Sequence, residues 1–209
     1  VLVLTERGKT TLAALRSRRT LTAAAVASLF LAVNWLVYVW AVNAGRVVDT
    51  SLGYFMNPLV NVLLGVLFFK ERMRPWQWTA IAIAAAGVLW LTWQYGSLPW
   101  IGLTLAFSFG FYGLLKKLSK MDAIEGLSAE MGLLVLPMAG LLLIMYTRPG
   151  GADSLSQTTT IFLLMLSGFA TVGPLLLFGA AARSIPLTVL GLLQYIAPTM
   201  QFLLGVFLF

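Results

Sequence analysis

The stretch Ser51–Phe69, SLGYFMNPLVNVLLGVLFF, recurs as Gly191–Phe209, GLLQYIAPTMQFLLGVFLF, at a constant offset of 140 residues. Seven of the 19 aligned positions are identical, including Pro58 with Pro198 and, seven residues later, a glycine in each copy. Leucine matches carry little weight in so apolar a chain, but a proline and a glycine shared at one spacing indicate an internal repeat. Repeated apolar helices interrupted by Pro and Gly are typical of membrane proteins built from two related halves.

The composition indicates that water is not the main environment of this chain, and it excludes several classes of catalytic and metal-binding site. Of its 209 residues, 60% are hydrophobic and 10% are charged, whereas ordinary soluble domains contain about 25% charged residues. The sequence has no Cys and no His, which excludes disulfides, thiolate or imidazole metal ligands and Ser-His or Cys-His nucleophiles. We therefore expect no catalytic residues, no metal site and no cofactor.

Seven apolar stretches of near-spanning length divide the chain. Each approaches the ~20 residues that a helix needs to cross the hydrocarbon layer, and none shows the period-2 alternation of a membrane β-strand. The stretches are Leu21–Ala44, Ser51–Phe69, Trp76–Gln94, Leu98–Leu115, Leu127–Tyr146, Thr158–Ala182 and Pro186–Phe209. The sequence therefore predicts an all-α polytopic membrane protein.

The offset of 140 also predicts what a complete molecule contains. Adding it to Leu21–Ala44 reaches the sixth stretch, and adding it to Val1–Leu4 reaches the end of the fifth. On this basis we expect five helices per repeat and ten in the full-length protein, of which seven complete helices are present here. Residues 1–95 are then the C-terminal part of the first repeat, and 96–209 are the second repeat without its last helix.

The basic residues predict an orientation. Twelve of the 14 Lys and Arg residues fall in alternate loops, and only Arg46 and Arg148 fall in the others. By the positive-inside rule the Lys/Arg-rich loops are cytoplasmic, so the net charge of +7 needs no nucleic-acid partner. The second and seventh stretches are five spans apart and run in opposite directions, which predicts an inverted-repeat helical bundle.

Three segments resemble a known family. Trp40–Trp78, Gly96–Lys117 and Gly191–Val206 (GLLQYIAPTMQFLLGV) are similar to the RarD-like permeases of the EamA group in the drug/metabolite transporter superfamily. The resemblance implies ten helices in two inverted repeats, a multi-pass location in the bacterial inner membrane, and a small molecule and the lipid bilayer as partners. It also implies an acidic residue after the Pro-containing helix, a position that Glu71 occupies.

Two sets of polar residues at equivalent positions are candidate ligands for a small molecule. Tyr54, Asn57 and Asn61 share one face of a predicted helix, and Gln194 and Gln201 are the counterparts of positions 54 and 61. If the two stripes meet, they line a polar cavity; the alternative is that these amides hold neighbouring helices together.

Further candidates lie on other spans. Asn34 and Tyr112 each belong to a polar stripe at helical spacing. Trp35, beside Asn34, is either a stacking wall or a core residue, and we expect core packing. Glu130 is the only carboxylate predicted inside a span. It is placed about one turn from the helix start, either as a proton or cation site or as an interfacial residue that pairs with a nearby lysine.

The leading functional hypothesis is a secondary transporter that moves a small molecule by alternating access. The sequence has no GxxxxGK[ST] phosphate loop to couple it to ATP. A membrane-embedded enzyme would need convergent acid–base groups, which are scarce here. A non-transporting membrane receptor or regulatory protein remains the alternative.

Overall fold

The structure is a computed structural model that describes residues 17–148, 157–200 and 207. Within those residues it contains seven α-helices. They are α1 (Arg18–Asn43), α2 (Val47–Phe69), α3 (Pro75–Tyr95), α4 (Trp100–Leu118), α5 (Ala123–Tyr146), α6 (Thr158–Ser184) and α7 (Leu187–Gln194).

Five of these helices, α1, α2, α4, α5 and α6, are long and apolar enough to cross a membrane. The helix α3 is not among them, and its sequence PWQWTAIAIAAAGVLWLTWQY contains four tryptophans and two glutamines, which are less apolar than aliphatic residues. These lengths and compositions confirm the predicted all-α polytopic membrane protein.

Two helices begin four residues earlier than the sequence predicted. The helix α5 starts four residues before the expected Leu127, because Glu125 accepts a hydrogen bond of 3.4 Å from the backbone N–H of Asp122 and so caps the helix start. Glu130 is therefore about two turns, not one, into its helix. The helix α2 starts four residues before the expected Ser51.

The earlier starts of α5 and α2 place two further carboxylates, Glu125 and Asp49, within these helices. Asp49 lies in the first turn of α2, where it is buried and accepts a 2.7 Å hydrogen bond from Arg46 Nε. The prediction that Glu130 is the only carboxylate inside a span is therefore wrong. The ion pair with Arg46 is what allows a carboxylate to be buried at this helix end.

The last predicted span, Pro186–Phe209, is not one continuous helix in its described part. The helix α7 ends at Gln194, Tyr195 forms a turn, and helical structure resumes to Met200. The break has a local cause, because Pro198 lacks the N–H that would bond the carbonyl of Gln194. Residues 201–206 and 208–209 of this predicted span lie outside the described residues.

The chain divides into two compact units. The first comprises the described residues up to Ser28 and those within Ser119–Ala180, and its core includes Ala24, Met121 and Ala129. The second comprises Leu29–Leu118 and the described residues from Ala181 onward.

The second unit is built around α2, which packs against α4 and α7 and, less extensively, against α3. Two glycines bring α2 and α4 close together, since a Cβ added to Gly102 would lie 3.1 Å from the backbone nitrogen of Gly53. Ile101 and Leu105 of α4 pack against Ala41 of α1. Close approach through small residues is how helices associate where lipid offers no hydrophobic driving force.

Candidate functional site

Amide side chains from α2 and α7 meet inside the second unit. Asn61 Nδ2 donates a hydrogen bond of 2.6 Å to Gln194 Oε1, and Asn57 Nδ2 lies 3.4 Å from the same oxygen. Asn61 is fully buried. The structure thus brings together three of the polar residues that the two repeated segments predicted.

This amide cluster is incompletely satisfied among the described residues. The Oδ1 atoms of Asn57 and Asn61 are buried, and neither has a donor there. Burying a hydrogen-bond acceptor without a donor destabilises a fold by about 1–3 kcal/mol, so such atoms are rare in folded proteins and often mark a functional role.

A glycine holds the two helices together at this level. A Cβ added to Gly191 of α7 would lie 2.7 Å from the carbonyl oxygen of Pro58 and 3.3 Å from Cβ of Asn61. Real Cβ atoms do not approach backbone oxygens so closely. Gly191 is therefore what allows Gln194, one turn along, to reach the asparagines of α2.

A cavity of about 370 Å³ adjoins the amide cluster. Its walls come from the second half of α1, the first half of α2, the first half of α4 and the chain around the end of α7. The lining residues are Asn34, Trp35, Tyr38, Thr50, Gly53, Tyr54, Asn57, Leu105, Phe109, Gln194, Ala197 and Pro198. Four predicted binding residues, Asn34, Tyr54, Asn57 and Gln194, are thus in its walls.

Asn34 is fixed in the wall by hydrogen bonds to α4. Its Nδ2 donates to the carbonyl oxygen of Leu105 at 2.9 Å and to Ser108 Oγ at 3.0 Å. Across the cavity wall, the rings of Tyr38 and Tyr54 meet edge to face with centroids 6.1 Å apart. Both contacts join α1 to neighbouring helices of the same unit.

Some lining residues were not predicted. Trp35, for which the sequence left a stacking wall or core packing open, forms part of the cavity wall. It follows Asn34 directly and precedes Tyr38 by three residues, so its position on the Asn34 side of α1 was the available signal. Thr50 was assigned to a loop because the true start of α2 was missed, and Phe109 carried no polar signal.

Other predicted residues lie elsewhere. Tyr112 is fully buried and contacts the ring of Phe109 at 5.8 Å and the amine of Lys116 at 5.3 Å, and it is not a lining residue of this cavity. Glu130 is buried in the first unit, where its backbone carbonyl accepts a 3.3 Å hydrogen bond from Ser28 Oγ. Gln201 lies outside the described residues.

A second polar cluster surrounds Glu71, beyond the C-terminal end of α2. Its Oε1 accepts a hydrogen bond of 2.9 Å from the N–H of Leu187, and its Oε2 accepts one of 2.8 Å from the N–H of Thr188. These are the first N–H groups of α7, which have no partner within the helix. Lys117 Nζ lies 3.4 Å from Glu71 Oε1 and donates to the carbonyl oxygen of Ile185 at 2.6 Å.

The chain reverses tightly to present this carboxylate. Lys70 adopts a left-handed conformation with φ of 52°, and the N–H of Glu71 then donates to the carbonyl oxygen of Gly65 at 3.2 Å. A Cβ on Gly65 would lie 2.6 Å from Glu71 Oε2 and 3.0 Å from Thr188. This close approach explains why glycine occupies the position.

The surroundings of Glu71 stabilise its charged form. Burial alone would raise the pKa of this carboxyl, but the hydrogen bonds from Thr188 and Leu187 and the nearby Lys117 ammonium outweigh it and lower the pKa below its ordinary 4.5. Glu71 is therefore a carboxylate at neutral pH.

Comparison with known proteins gives one consistent result. Residues 2–93 match the model of the EamA-like transporter family. The chain is 48% identical over 186 residues to YojE of Bacillus subtilis, named an uncharacterized transporter, covering 88% of this chain and 61% of that protein. It is 45% identical over 195 residues to the protein RarD of Streptomyces exfoliatus, covering 93% and 62%.

The protein RarD of Escherichia coli K12 is similar to the same degree, 43% identical over 183 residues that cover 87% of this chain and 62% of that protein. No solved structure matches the chain significantly. The chain is similar to the EamA-like transporter family over residues 2–93 and to RarD proteins over most of its length. It spans about three fifths of the length of the curated relatives it matches.

Proposed function

We propose that this chain carries the binding site of a secondary transporter that moves a small molecule across the bacterial inner membrane. The observation that carries the proposal is the 370 Å³ cavity whose walls include Asn57 of α2 and Gln194 of α7. Polar groups inside membrane spans are costly, and they are retained where a substrate pathway uses them. The names of the relatives agree with transport as the activity of the whole protein.

The positions of the amide cluster and the Glu71 cluster suggest how the binding site could open to one side of the membrane at a time. The helix α2 is 23 residues long, or about 35 Å, and its first half lines the cavity while Glu71 follows its last residue. The helix α7 runs the opposite way between the same two sites. Leu187, at its start, is bound to Glu71, and Gln194, at its end, is in the cavity wall. In our proposal the Glu71 cluster closes the cytoplasmic end, and the cavity belongs to the opposite half of the membrane.

Alternating access then requires the Glu71 cluster to open when the cavity closes. Two inverted repeats, residues 1–95 and 96–209, would supply the two equivalent arrangements. Glu130 remains a candidate proton or cation site for coupling, since a carboxylate buried within a membrane span is costly and is retained where a transport pathway uses it.

Uptake into proteoliposomes tests the proposal. The full-length protein is reconstituted, and uptake of a chemically broad panel of radiolabelled small molecules is measured with and without a proton gradient. We expect saturable uptake of at least one compound that Asn57→Leu abolishes. Thr171 lies outside the cavity wall, and its hydroxyl donates a 2.7 Å hydrogen bond to the carbonyl oxygen of Ser167 in its own helix, so Thr171→Val supplies the matched control. Saturable binding without uptake would instead favour a receptor.

A further inference from the structure

The walls of the cavity are uncharged. Among its described lining residues none is Asp, Glu, Lys or Arg. A charged group that enters such a site leaves water without gaining a counter-ion, which is the most costly form of burial. The cavity therefore favours an uncharged ligand over a carboxylate or an ammonium ion of the same shape.

The walls are also rich in aromatic rings. Trp35 and Tyr38 come from α1, Tyr54 from α2 and Phe109 from α4. Rings on three different helices around one space offer faces and edges at which another flat ring can stack, a contact worth about 0.5–1.5 kcal/mol beyond its buried area. This arrangement favours a ligand with a planar aromatic part.

One polar atom in the cavity wall lacks a donor. Asn34 already uses its Nδ2 on Leu105 and Ser108. Asn57, in the wall, has an Oδ1 atom without a donor among the described residues. Its one bond to Gln194 is 3.4 Å long, so rotating this amide toward the cavity sacrifices little.

We propose that the cavity selects an uncharged aromatic molecule that carries an N–H donor. The ring stacks among the aromatic side chains of α1, α2 and α4, and the N–H donates to Asn57 Oδ1, which supplies the missing partner of that atom. This inference rests on the proposed function, because it names the class of molecule that the transport site would accept.

A matched set of four naphthalene compounds tests this selection. The set is 2-naphthamide (uncharged donor), N,N-dimethyl-2-naphthamide (uncharged, no donor), 2-naphthoate (anion) and 2-naphthylmethylamine (cation). Binding is read as protection of Ala197→Cys from a water-soluble maleimide with the protein in lipid nanodiscs. Ala197 lines the cavity and is exposed, and the chain has no other cysteine.

We expect 2-naphthamide to give half-protection at about tenfold lower concentration than each of the other three compounds. Adding Asn57→Leu should bring the two amides to the same concentration without restoring the charged compounds. Equal or better protection by the anion or the cation, equal protection by the two amides before this substitution, or no protection by any compound would overturn the proposed ligand class.

The protection assay is independent of transport. Selective protection by 2-naphthamide without uptake of any compound in proteoliposomes would contradict the transporter and leave the ligand class standing. Saturable uptake of a charged compound that neither naphthamide inhibits would support the transporter and contradict the proposed ligand class.

Discussion

The hydroxyl of Tyr195 donates a hydrogen bond of 3.1 Å to the backbone carbonyl of Phe55, and these two residues occupy equivalent positions in the repeated segments, 140 apart. Each stands three residues before the proline of its own segment. In a two-fold arrangement a residue meets its own counterpart only beside the axis. The contact is therefore what an axis relating the two repeats, passing between α2 and the chain after α7, would produce.

The contact surface between α2 and α7 depends on Gly191. We expect Gly191→Ala to destabilise the protein by about 1–3 kcal/mol, because the new Cβ would lie 2.7 Å from the carbonyl oxygen of Pro58, a backbone atom that cannot rotate away. Thermal unfolding in detergent measures the effect. Gly132, with nothing within 4 Å of an added Cβ, is the matched helical control, and Gly132→Ala should be neutral or stabilising. Similar stabilities for the two variants would contradict the close packing at Gly191.

The amide residues distinguish a binding site from simple helix association. We expect leucine at Asn57, Asn61 or Gln201 to abolish uptake while expression and membrane insertion remain, since more apolar spans insert at least as well. If these amides only join helices, each change should instead lower the free energy of unfolding by about 0.6 kcal/mol and leave uptake intact. Uptake and unfolding measured on the same preparations separate the two outcomes.

The repeat predicted which segments would contact each other, but not which helix faces would line the cavity. The amides of Asn57 and Gln194 were predictable because a proline and a glycine recur at one spacing beside them. On α4 the stripe of Thr104, Ser108 and Tyr112 gave no such guidance. Thr104 bonds its own helix at Trp100, whereas Ser108 accepts from Asn34 of α1.

The physical reason is that a membrane span is apolar on all sides, so hydrophobic periodicity does not mark its buried face. A polar stripe indicates that one face of a helix is turned toward protein or water, but it does not indicate which helix packs against that face. Helix starts were missed for a related reason. The polar residues Asp122 and Glu125 predicted a loop, but they cap the start of α5. The helix therefore begins four residues earlier than predicted, and Glu130 lies one turn further from its start.

The Glu71 carboxylate should make stability depend on pH. Its pKa is lower in the folded protein than the ordinary 4.5, so its contribution is present above that value and is lost as pH falls through the folded-state pKa. We expect the melting temperature of the wild type to exceed that of Glu71→Gln at pH 7, with the difference shrinking below about pH 4.5. The exposed neighbour Arg72, changed to Gln, controls for altered net charge. A difference that stays constant from pH 7 to pH 3 would contradict the assignment.

Glu71 should also control access to the start of α7, the end that our proposal places at the cytoplasmic face. Thr188 is buried, and its N–H binds Glu71 Oε2 at 2.8 Å, so a cysteine at this position should react slowly with a membrane-impermeant thiol reagent applied from the cytoplasmic side. Replacing Glu71 by Gln removes the negative charge that binds the helix N-terminus and Lys117, and hydrogen bonds to charged groups are roughly twice as strong as neutral ones. We expect Glu71→Gln to increase the labelling rate of Thr188→Cys several-fold, on the order of the tenfold that 1.4 kcal/mol produces, and Glu71→Asp to increase it less. Arg72→Gln in the same background should leave the rate unchanged. If Glu71→Gln and Arg72→Gln label equally slowly, the carboxylate does not hold this end closed, and the proposed cytoplasmic closure must be sought in the apolar contacts between α2 and α7 instead.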